Sequence, residues 1–370
     1  MIRIIHFSDL HLDSGIFEND KKRADLRKKE QRSLFANILM YARDQHADLI
    51  LIAGDLLDRR DPDEETKALI LREFENTPQA QIVIACGRSD PYRPGCFFYE
   101  TAFPSNVHIF GSEELSYIDL PALGARVYGY SFCKRNLPRS PIAVVPVLDA
   151  SLCNIFVGHT TLRGDARTAP TDEGQIERSR FDYLALGGDH EPTELLKAGE
   201  SFYAMSGSPE GVDFDDCGMR GIRIVAMDKR DGQLLLQSKR IALSHRRFEK
   251  CTVSVEGKEI ADVAEEALAC IRERQIDKDC RLMLRLTGCT ARRFSADDPA
   301  FDRVRARVGY FLTVDDTLFQ PSVQTPGGRE EFKEIFCRFA SEKTDDPRLR
   351  SRILKTGLAA LEGGRKERGE

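Results

Sequence analysis

Five short runs of β-branched and aromatic residues, each ending abruptly in polar side chains, dominate the first half of the chain. In the first, Ile2, Ile4, Ile5 and Phe7 predict a buried strand that runs out into Ser8-Asp9-Leu10-His11. The second, Asp48 to Ala53, is continuously apolar after its first residue, as expected of a strand buried on both faces. It ends in Gly54-Asp55-Leu56-Leu57-Asp58, where a glycine lets the backbone turn sharply. A helix is predicted from about Asp63 to Glu75, ahead of an apolar run from Gln81 to Cys86 that ends in Gly87-Arg88-Ser89-Asp90. Cys153 to Val157 then ends in Gly158-His159, and Phe181 to Leu186 ends in Gly187-Gly188-Asp189-His190. Strands alternating with helices, with the polar groups gathered at the strands' carboxyl ends, predict an α/β fold with its site along that edge.

The pattern changes elsewhere. Lys21 to Arg32 carries Lys21, Lys22, Arg23, Arg27, Lys28, Lys29 and Arg32 against Asp25 and Glu30, and leads into a helical stripe through Leu34, Ile38, Leu39 and Ala42. The cations read either as a solvated helix face or as a patch in which Lys21, Lys22 and Arg23 hold phosphates. From Arg247 onward a strand, a helix, a strand and a helix-like stretch near Asp302 to Val308 predict a small α+β module. Pro326-Gly327-Gly328 reads as a linker. Beyond it, Phe332, Ile335, Phe336 and Phe339, and then Leu349, Ile353, Leu354, Leu358 and Leu361, form two amphipathic stripes. Gly363 to Glu370 is charged and expected to fray. The domain boundaries predicted are 1–245, 246–325 and 326–370.

Composition narrows the class. With 370 residues, 41% apolar and 31% charged, the chain has room for two domains and an ordinary core. No apolar run approaches the roughly 20 residues needed to span a bilayer. Asp9, His11 and Asp13 interrupt any leader-like apolar stretch, so no membrane association and a cytoplasmic location are expected. A net charge of −5 argues against bulk affinity for nucleic acid while allowing a local basic groove. The ten cysteines contain no Cys-x-x-Cys pair and are expected to be reduced core residues.

The candidate chemistry lies in the strand endings. An Asp-x-His step offers one hard oxygen and one borderline nitrogen to a single ion. One such step is more commonly a turn or a cap, but five polar endings in order are not coincidence. His6, inside a strand, reads as a satisfied core histidine, and Asp58 as a support for its loop. Asp165 and Arg167 read either as substrate contacts or as an ordinary loop.

In order, Asp9-Leu10-His11, Gly54 to Asp58, Gly87 to Asp90, Gly158-His159 and Gly187 to His190 resemble the signature of the calcineurin-like metallophosphoesterase superfamily: D-x-H, G-D-x-x-D, G-N-H-D, G-H and G-H-x-H. Within it, HFSDLHLDS, FDYLALG and SGSPEGVDF resemble the wording of the SbcD-type DNA-repair exonucleases. The resemblance implies a sandwich of two β-sheets flanked by helices, a small α+β capping domain and a C-terminal helical segment. It also implies a pair of divalent ions, with manganese the first expectation and iron, magnesium or zinc as alternatives.

Carried over residue by residue, the first ion takes Asp9, His11, the bridging Asp55 and His190. The second takes Asp55 and His159, but its Asn position is Arg88 and its remaining His position is Gly188. The family's general-acid histidine is Ser89. One well-held ion rather than two is therefore expected. Arg88 has three open readings: a fixed charge clamping a phosphate, a partner for Asp55, Asp90 or Asp189, or a bystander beside a second site partly restored by Asp189. The implied partners are DNA, an SMC-like ATPase of the SbcC type gripped by the C-terminal helices, and a second copy of the chain. The function expected is an SbcD-type exonuclease subunit with impaired or altered hydrolysis; the alternatives are a non-catalytic DNA-binding scaffold and a phosphatase of small phosphoesters.

Overall fold

A computed structural model describes the chain except residues 15–20, 144–147, 163–165, 231, 291–294, 296, 320–329 and 364–370, and leaves the side chains of 22, 23, 319, 330–334 and 358–363 undescribed. Lys22 and Arg23 as side chains, Asp165, the Pro326-Gly327-Gly328 linker and the charged end of the chain therefore lie outside the described residues. The chain forms two compact units, Met1–Arg247 and Phe248–Glu370.

The first unit opens with β1 (Ile2–Phe7), α1 (Lys21–Asp44), β2 (Leu49–Ala53), α2 (Glu64–Glu75), β3 (Gln81–Ala85), the single turn α3 (Phe97–Glu100) and β4 (Val107–Ile109). It continues through β5 (Ser116–Leu120), β6 (Ala125–Gly129), β7 (Cys153–His159), α4 (Glu173–Ser179), β8 (Tyr183–Gly187), β9 (Leu196–Ala198) and β10 (Ser201–Met205). A long hairpin, β11 (Gly221–Arg230) and β12 (Gln233–Ala242), follows. These strands make two six-stranded sheets, in the orders β12-β11-β1-β2-β3-β4 and β5-β6-β7-β8-β10-β9. β1 to β4 run parallel, as do β6, β7, β8 and β10, so the predicted polar endings fall at strand carboxyl ends.

The two-residue period of a strand decides what each face meets. Ile4, Leu49, Leu51, Val83 and Ala85 point between the sheets and pack on Val127, Ile155, Val157 and Ala185. Ile5, Phe7, Ile50, Ile52, Ile82 and Ile84 point outward, onto Leu34, Phe35, Ile38 and Leu39 of α1 and Leu69, Ile70 and Phe74 of α2. The second sheet buries its outer face, Tyr128, Phe156, Leu184 and Leu186, beneath Ile176 of α4. Burial on both faces explains why β2 and β3 read as unbroken apolar runs.

His6 shares the inner face of β1 with Ile4 and is fully buried, with Nδ1 2.8 Å from the Tyr183 hydroxyl and Nε2 3.1 Å from the Leu186 carbonyl. It is a satisfied core histidine. Burial, reinforced by Arg223, lowers its pKa from 6.5 to about 3. The folded state thus keeps it neutral where the unfolded chain takes up a proton, so its contribution is complete above pH 6.5 and is lost as pH falls toward about 3. At up to about 1.4 kcal/mol per pH unit, roughly 2 kcal/mol should be gone by pH 5. Urea unfolding in EDTA at pH 7 and pH 5 should show that loss in the wild type and not in His6→Gln; equal pH slopes would reject the assignment.

The second unit contains β13 (Arg247–Ser254, entered at the unit boundary), α5 (Ile260–Glu273), β14 (Cys280–Thr287), β15 (Cys289–Thr290), α6 (Asp302–Arg305), β16 (Tyr310–Asp315), β17 (Leu318–Phe319), α7 (Glu330–Lys343) and α8 (Pro347–Gly363). β13, β14 and β16 form a three-stranded sheet, on which Val263, Ala267, Leu268 and Ile271 of α5 pack, and β15 pairs with β17. Here one expectation is overturned: Cys251 and Cys270, 19 positions apart in sequence, are joined in a disulfide, with Cα atoms 6.5 Å apart. Docking of α5 on β13 brings together two thiols whose spacing resembles no motif. A loop of that length is worth about 3 kcal/mol on the chain-entropy account, so Cys251→Ser should destabilise this unit by about that much. Thiol titration of the unfolded wild type should find eight free cysteines, and ten would remove the bond. Lys355 of α8 reaches Asp315 at 2.8 Å and Ser351 donates to the Thr317 carbonyl, which fastens α8 to its own unit. Ile335 and Phe339 of α7 remain exposed. Among the described residues, no helix is long and apolar enough to cross a membrane.

Candidate metal centre

The loops after β1 and β2 are zipped together by their backbones. The amides of Asp9, His11 and Leu12 donate to the carbonyls of Gly54, Asp55 and Leu56 at 3.0, 3.1 and 2.9 Å. This fixes Asp9 and His11 relative to Asp55. All three hold left-handed backbones, with φ of 53°, 49° and 48°. Asp and His tolerate that region better than most residues, and such strain gathers where side chains must be aimed. At Gly54, φ is 89° and a Cβ would stand 2.6 Å from the His159 ring. Asp90, buried, accepts from the amides of Gly87, Asp55 and Leu57 at 2.7, 3.2 and 3.1 Å and locks the β3 loop onto the β2 loop. Burial, with Asp55 close by, pushes its pKa up to about 7.

The structure brings five of the predicted residues into two overlapping groups. In each of Asp9-His11-His190 and Asp9-Asp55-His159, one ligand atom per residue lies within 4.8 Å of the others. Each histidine has an oxygen close to Nδ1. Asp58 Oδ1 lies 3.2 Å from His11, Asp216 Oδ2 lies 3.2 Å from His190, and the Ala53 carbonyl lies 3.3 Å from His159. An acceptor at Nδ1 fixes the proton there and leaves Nε2 as the donor to an ion. The Nε2 atoms of His11 and His159 lie 3.9 and 3.7 Å from Asp55 Oδ2. Among the described residues, Asp9 Oδ1 and His11 Nε2 are buried with no hydrogen-bond partner, as expected of atoms shaped to hold a cation. Two carboxylates and three imidazoles suit manganese, iron or zinc.

Electrostatics agree with this arrangement. Burial alone would lower the His11 pKa, but Asp58, Asp55 and Asp9 outweigh it and raise it to about 9. Burial also opposes the charged form of Asp55, yet His159, His11 and two hydrogen bonds from Ser89 hold its pKa below the ordinary carboxylate value. His190 is raised against its burial by Asp216.

The departures from the family pattern acquire physical meaning here. Ser89 donates its amide and hydroxyl to the two oxygens of Asp55, at 2.8 and 2.9 Å, and so orients that carboxylate. Gly188 donates its amide to Asp9 Oδ2 at 2.9 Å; with φ of 109°, a Cβ there would stand 2.2 Å from the Thr160 carbonyl oxygen. Asp189 accepts from the Thr161 hydroxyl and the Leu162 amide at 2.7 and 3.1 Å, which occupies both of its oxygens outside either group. Arg88 lines a cleft of about 830 Å³ beside Asp55, His159 and His190. Arg59, Arg60 and Arg135 line it too, and the motifs pointed to none of them. Lys21 is exposed at the start of α1 and does not line the cleft.

Asp216 was not visible in the motifs either. Its Oδ2 also accepts from the Val212 amide at 2.9 Å, and Arg220, itself buried, bonds both the Asp216 and the His190 carbonyls. Asp216→Ala should weaken manganese binding about 10–100-fold, the usual effect of losing a carboxylate behind a ligating histidine. Equilibrium dialysis would show it, and unchanged affinity would remove Asp216 from the centre.

The chain is 26% identical over 239 residues to the uncharacterized metallophosphoesterase YhaO of Bacillus subtilis, covering 62% of this chain and 58% of that protein. It is 25% identical over 267 residues to the SbcD component of the nuclease SbcCD of Staphylococcus epidermidis, covering 63% of this chain and 68% of that one. Among solved structures, TT1561 of Thermus thermophilus aligns with 64% of this chain and 98% of its own, at 12% identity and a TM-score of 0.38. The calcineurin-like phosphoesterase family matches residues 2–192, a span of 191 of the 370 residues that contains every strand ending described above. With more than half its length and its whole set of clustered ligands inside that match, the chain belongs to the calcineurin-like phosphoesterase family.

Proposed function

We propose that this protein is a metal-dependent phosphodiesterase of the SbcD type that acts on DNA, working with one well-held ion and with reduced hydrolytic power. The observation that carries the reading is the set of three histidines, each with an oxygen at Nδ1, gathered with Asp9 and Asp55 beside a cleft that Arg88 lines. A divalent ion bound there would polarise a phosphoryl oxygen and acidify a water to near neutrality. The chain's own residues do the rest. Asp58 and Asp216 hold the rings of His11 and His190, and Ser89 holds Asp55. Arg88 brings a guanidinium to the wall of the cleft, a planar fork that matches phosphate oxygens.

Position 89 offers no imidazole to protonate a leaving group, and loss of a placed general acid slows turnover by about 10²–10⁴-fold. The likeness to the SbcCD component supports an SMC-like ATPase of the SbcC type as partner, met through α7 and α8. The exposure of Ile335 and Phe339 is consistent with this, as a second copy of the chain would also be. The test is hydrolysis of single- and double-stranded DNA by the purified full chain in manganese, with EDTA as control and metal counted per chain. EDTA-sensitive cleavage with about one ion bound is expected; DNA binding without cleavage would favour the scaffold instead.

A further inference from the structure

We propose that Arg60 and Arg135 form a second anion subsite beside the metal centre, taking a phosphate next to the one being hydrolysed. The proposal rests on the phosphodiesterase reading above and specifies its substrate as a chain with at least two phosphates. Arg60 lies between β2 and α2, and Arg135 in the loop after β6, so the two cations come from different sheets and line the same cleft. Both are exposed, and neither side chain makes a hydrogen bond or ion pair with the described residues.

The acidic groups that could neutralise them are engaged elsewhere. Asp55 takes two hydrogen bonds from Ser89, Asp58 lies 3.2 Å from His11, and Asp61 lies 2.6 Å from Lys67. Arg59, between these residues in sequence, is directed to Asp63 at 3.6 Å. Two guanidinium groups left uncompensated in a concave site, on a chain of net charge −5, make a local positive field that a polyanion relieves. The volume of about 830 Å³ lies toward the top of the roughly 300–1,000 Å³ typical of ligand sites and exceeds what one phosphate fills. Planar guanidinium forks also suit the paired oxygens of a phosphodiester.

The test uses the full chain in manganese with a fluorescein-labelled phosphorothioate oligothymidylate, followed by anisotropy over a salt series. Arg60→Gln/Arg135→Gln should weaken binding by about 10–100-fold. It should also lower the slope of log Kd against log salt by about 1.4, at about 0.7 per contact on a single strand. The pair Arg60→Lys/Arg135→Lys should keep most of that slope. The ratio of kcat/KM for oligothymidylate over bis(p-nitrophenyl) phosphate, a substrate with one phosphate, should fall at least about tenfold in the glutamine variant. Unchanged affinity and slope, or equal losses on the two substrates, would overturn the subsite. Hydrolysis of bis(p-nitrophenyl) phosphate without oligothymidylate binding overturns the subsite and leaves the hydrolase reading standing. Arginine-dependent binding without hydrolysis of either substrate does the reverse.

Discussion

Asp55→Ala should abolish manganese-dependent phosphodiester cleavage, with a loss of at least about 10³-fold, or roughly 4 kcal/mol of transition-state stabilisation. The size follows from how much converges on this carboxylate. Its Oδ2 lies 3.9 Å from His11 Nε2 and 3.7 Å from His159 Nε2, so removal withdraws an anion that two ring nitrogens approach. It also strips the Ser89 amide and hydroxyl of their acceptor. The raised pKa of His11 depends in part on Asp55, and should move back toward its ordinary value in the variant. Manganese should therefore bind more weakly as well. Activity against DNA and metal content by dialysis would be read side by side. Cleavage that survives in Asp55→Ala would sink the proposed chemistry, because no reading of the centre leaves it active without this residue.

The second large effect is at Gly188, where the family pattern carries a histidine. Gly188→His should fail to rebuild a second metal site and should instead destabilise the first unit. Its φ of 109° is one that L side chains rarely adopt, and a Cβ would stand 2.2 Å from the Thr160 carbonyl oxygen. Thr160 cannot withdraw easily: its amide donates to Gly187 at 2.8 Å and its hydroxyl is 2.7 Å from that of Thr171, both in buried surroundings. Strain of this kind costs about 1–3 kcal/mol before the overlap is counted, so a total of at least about 3 kcal/mol is expected. That corresponds to a fall in melting temperature of roughly 6–12 °C for a unit of this size. Gly188→Ala should lose nearly as much, since the first carbon already collides. If Gly188→Ala melts like the wild type, the glycine is not demanded by geometry. If Gly188→His binds a second ion, the centre is a recoverable two-metal site after all.

Much of the candidate centre was legible because it lies at strand ends. A strand buried on both faces must be apolar throughout, so the first polar side chains beyond it are conspicuous, and Asp9, Asp55, His159 and His190 stand there. The glycines beside them point to sharp turns, which the positive φ of Gly54 and Gly188 confirms. Asp216 was not legible, because it reaches His190 from 26 residues away and stands just beyond the SGSPEGVDF stretch, which names no ligand. The roles of Ser89 and Gly188 were also hidden: missing family residues read as losses, whereas the structure shows a carboxylate clamp and a backbone donor in their places. The Cys251–Cys270 bond was missed for a related reason, since a strand and a helix bring its thiols together across a spacing that sequence patterns do not flag.

By itself, then, the sequence determined the α/β architecture and the five strand-end groups, because local periodicity dictates which segments are buried and where they stop. Only the tertiary structure decided which groups meet. The zipper between the β1 and β2 loops sets Asp9 and His11 against Asp55, and the approach of the second sheet delivers His159 and His190 to the same place. It likewise brought Arg60 and Arg135, remote in sequence and in loops that follow strands of different sheets, to one cleft. Distances between side chains depend on how sheets and loops pack, and no local pattern in the chain encodes that.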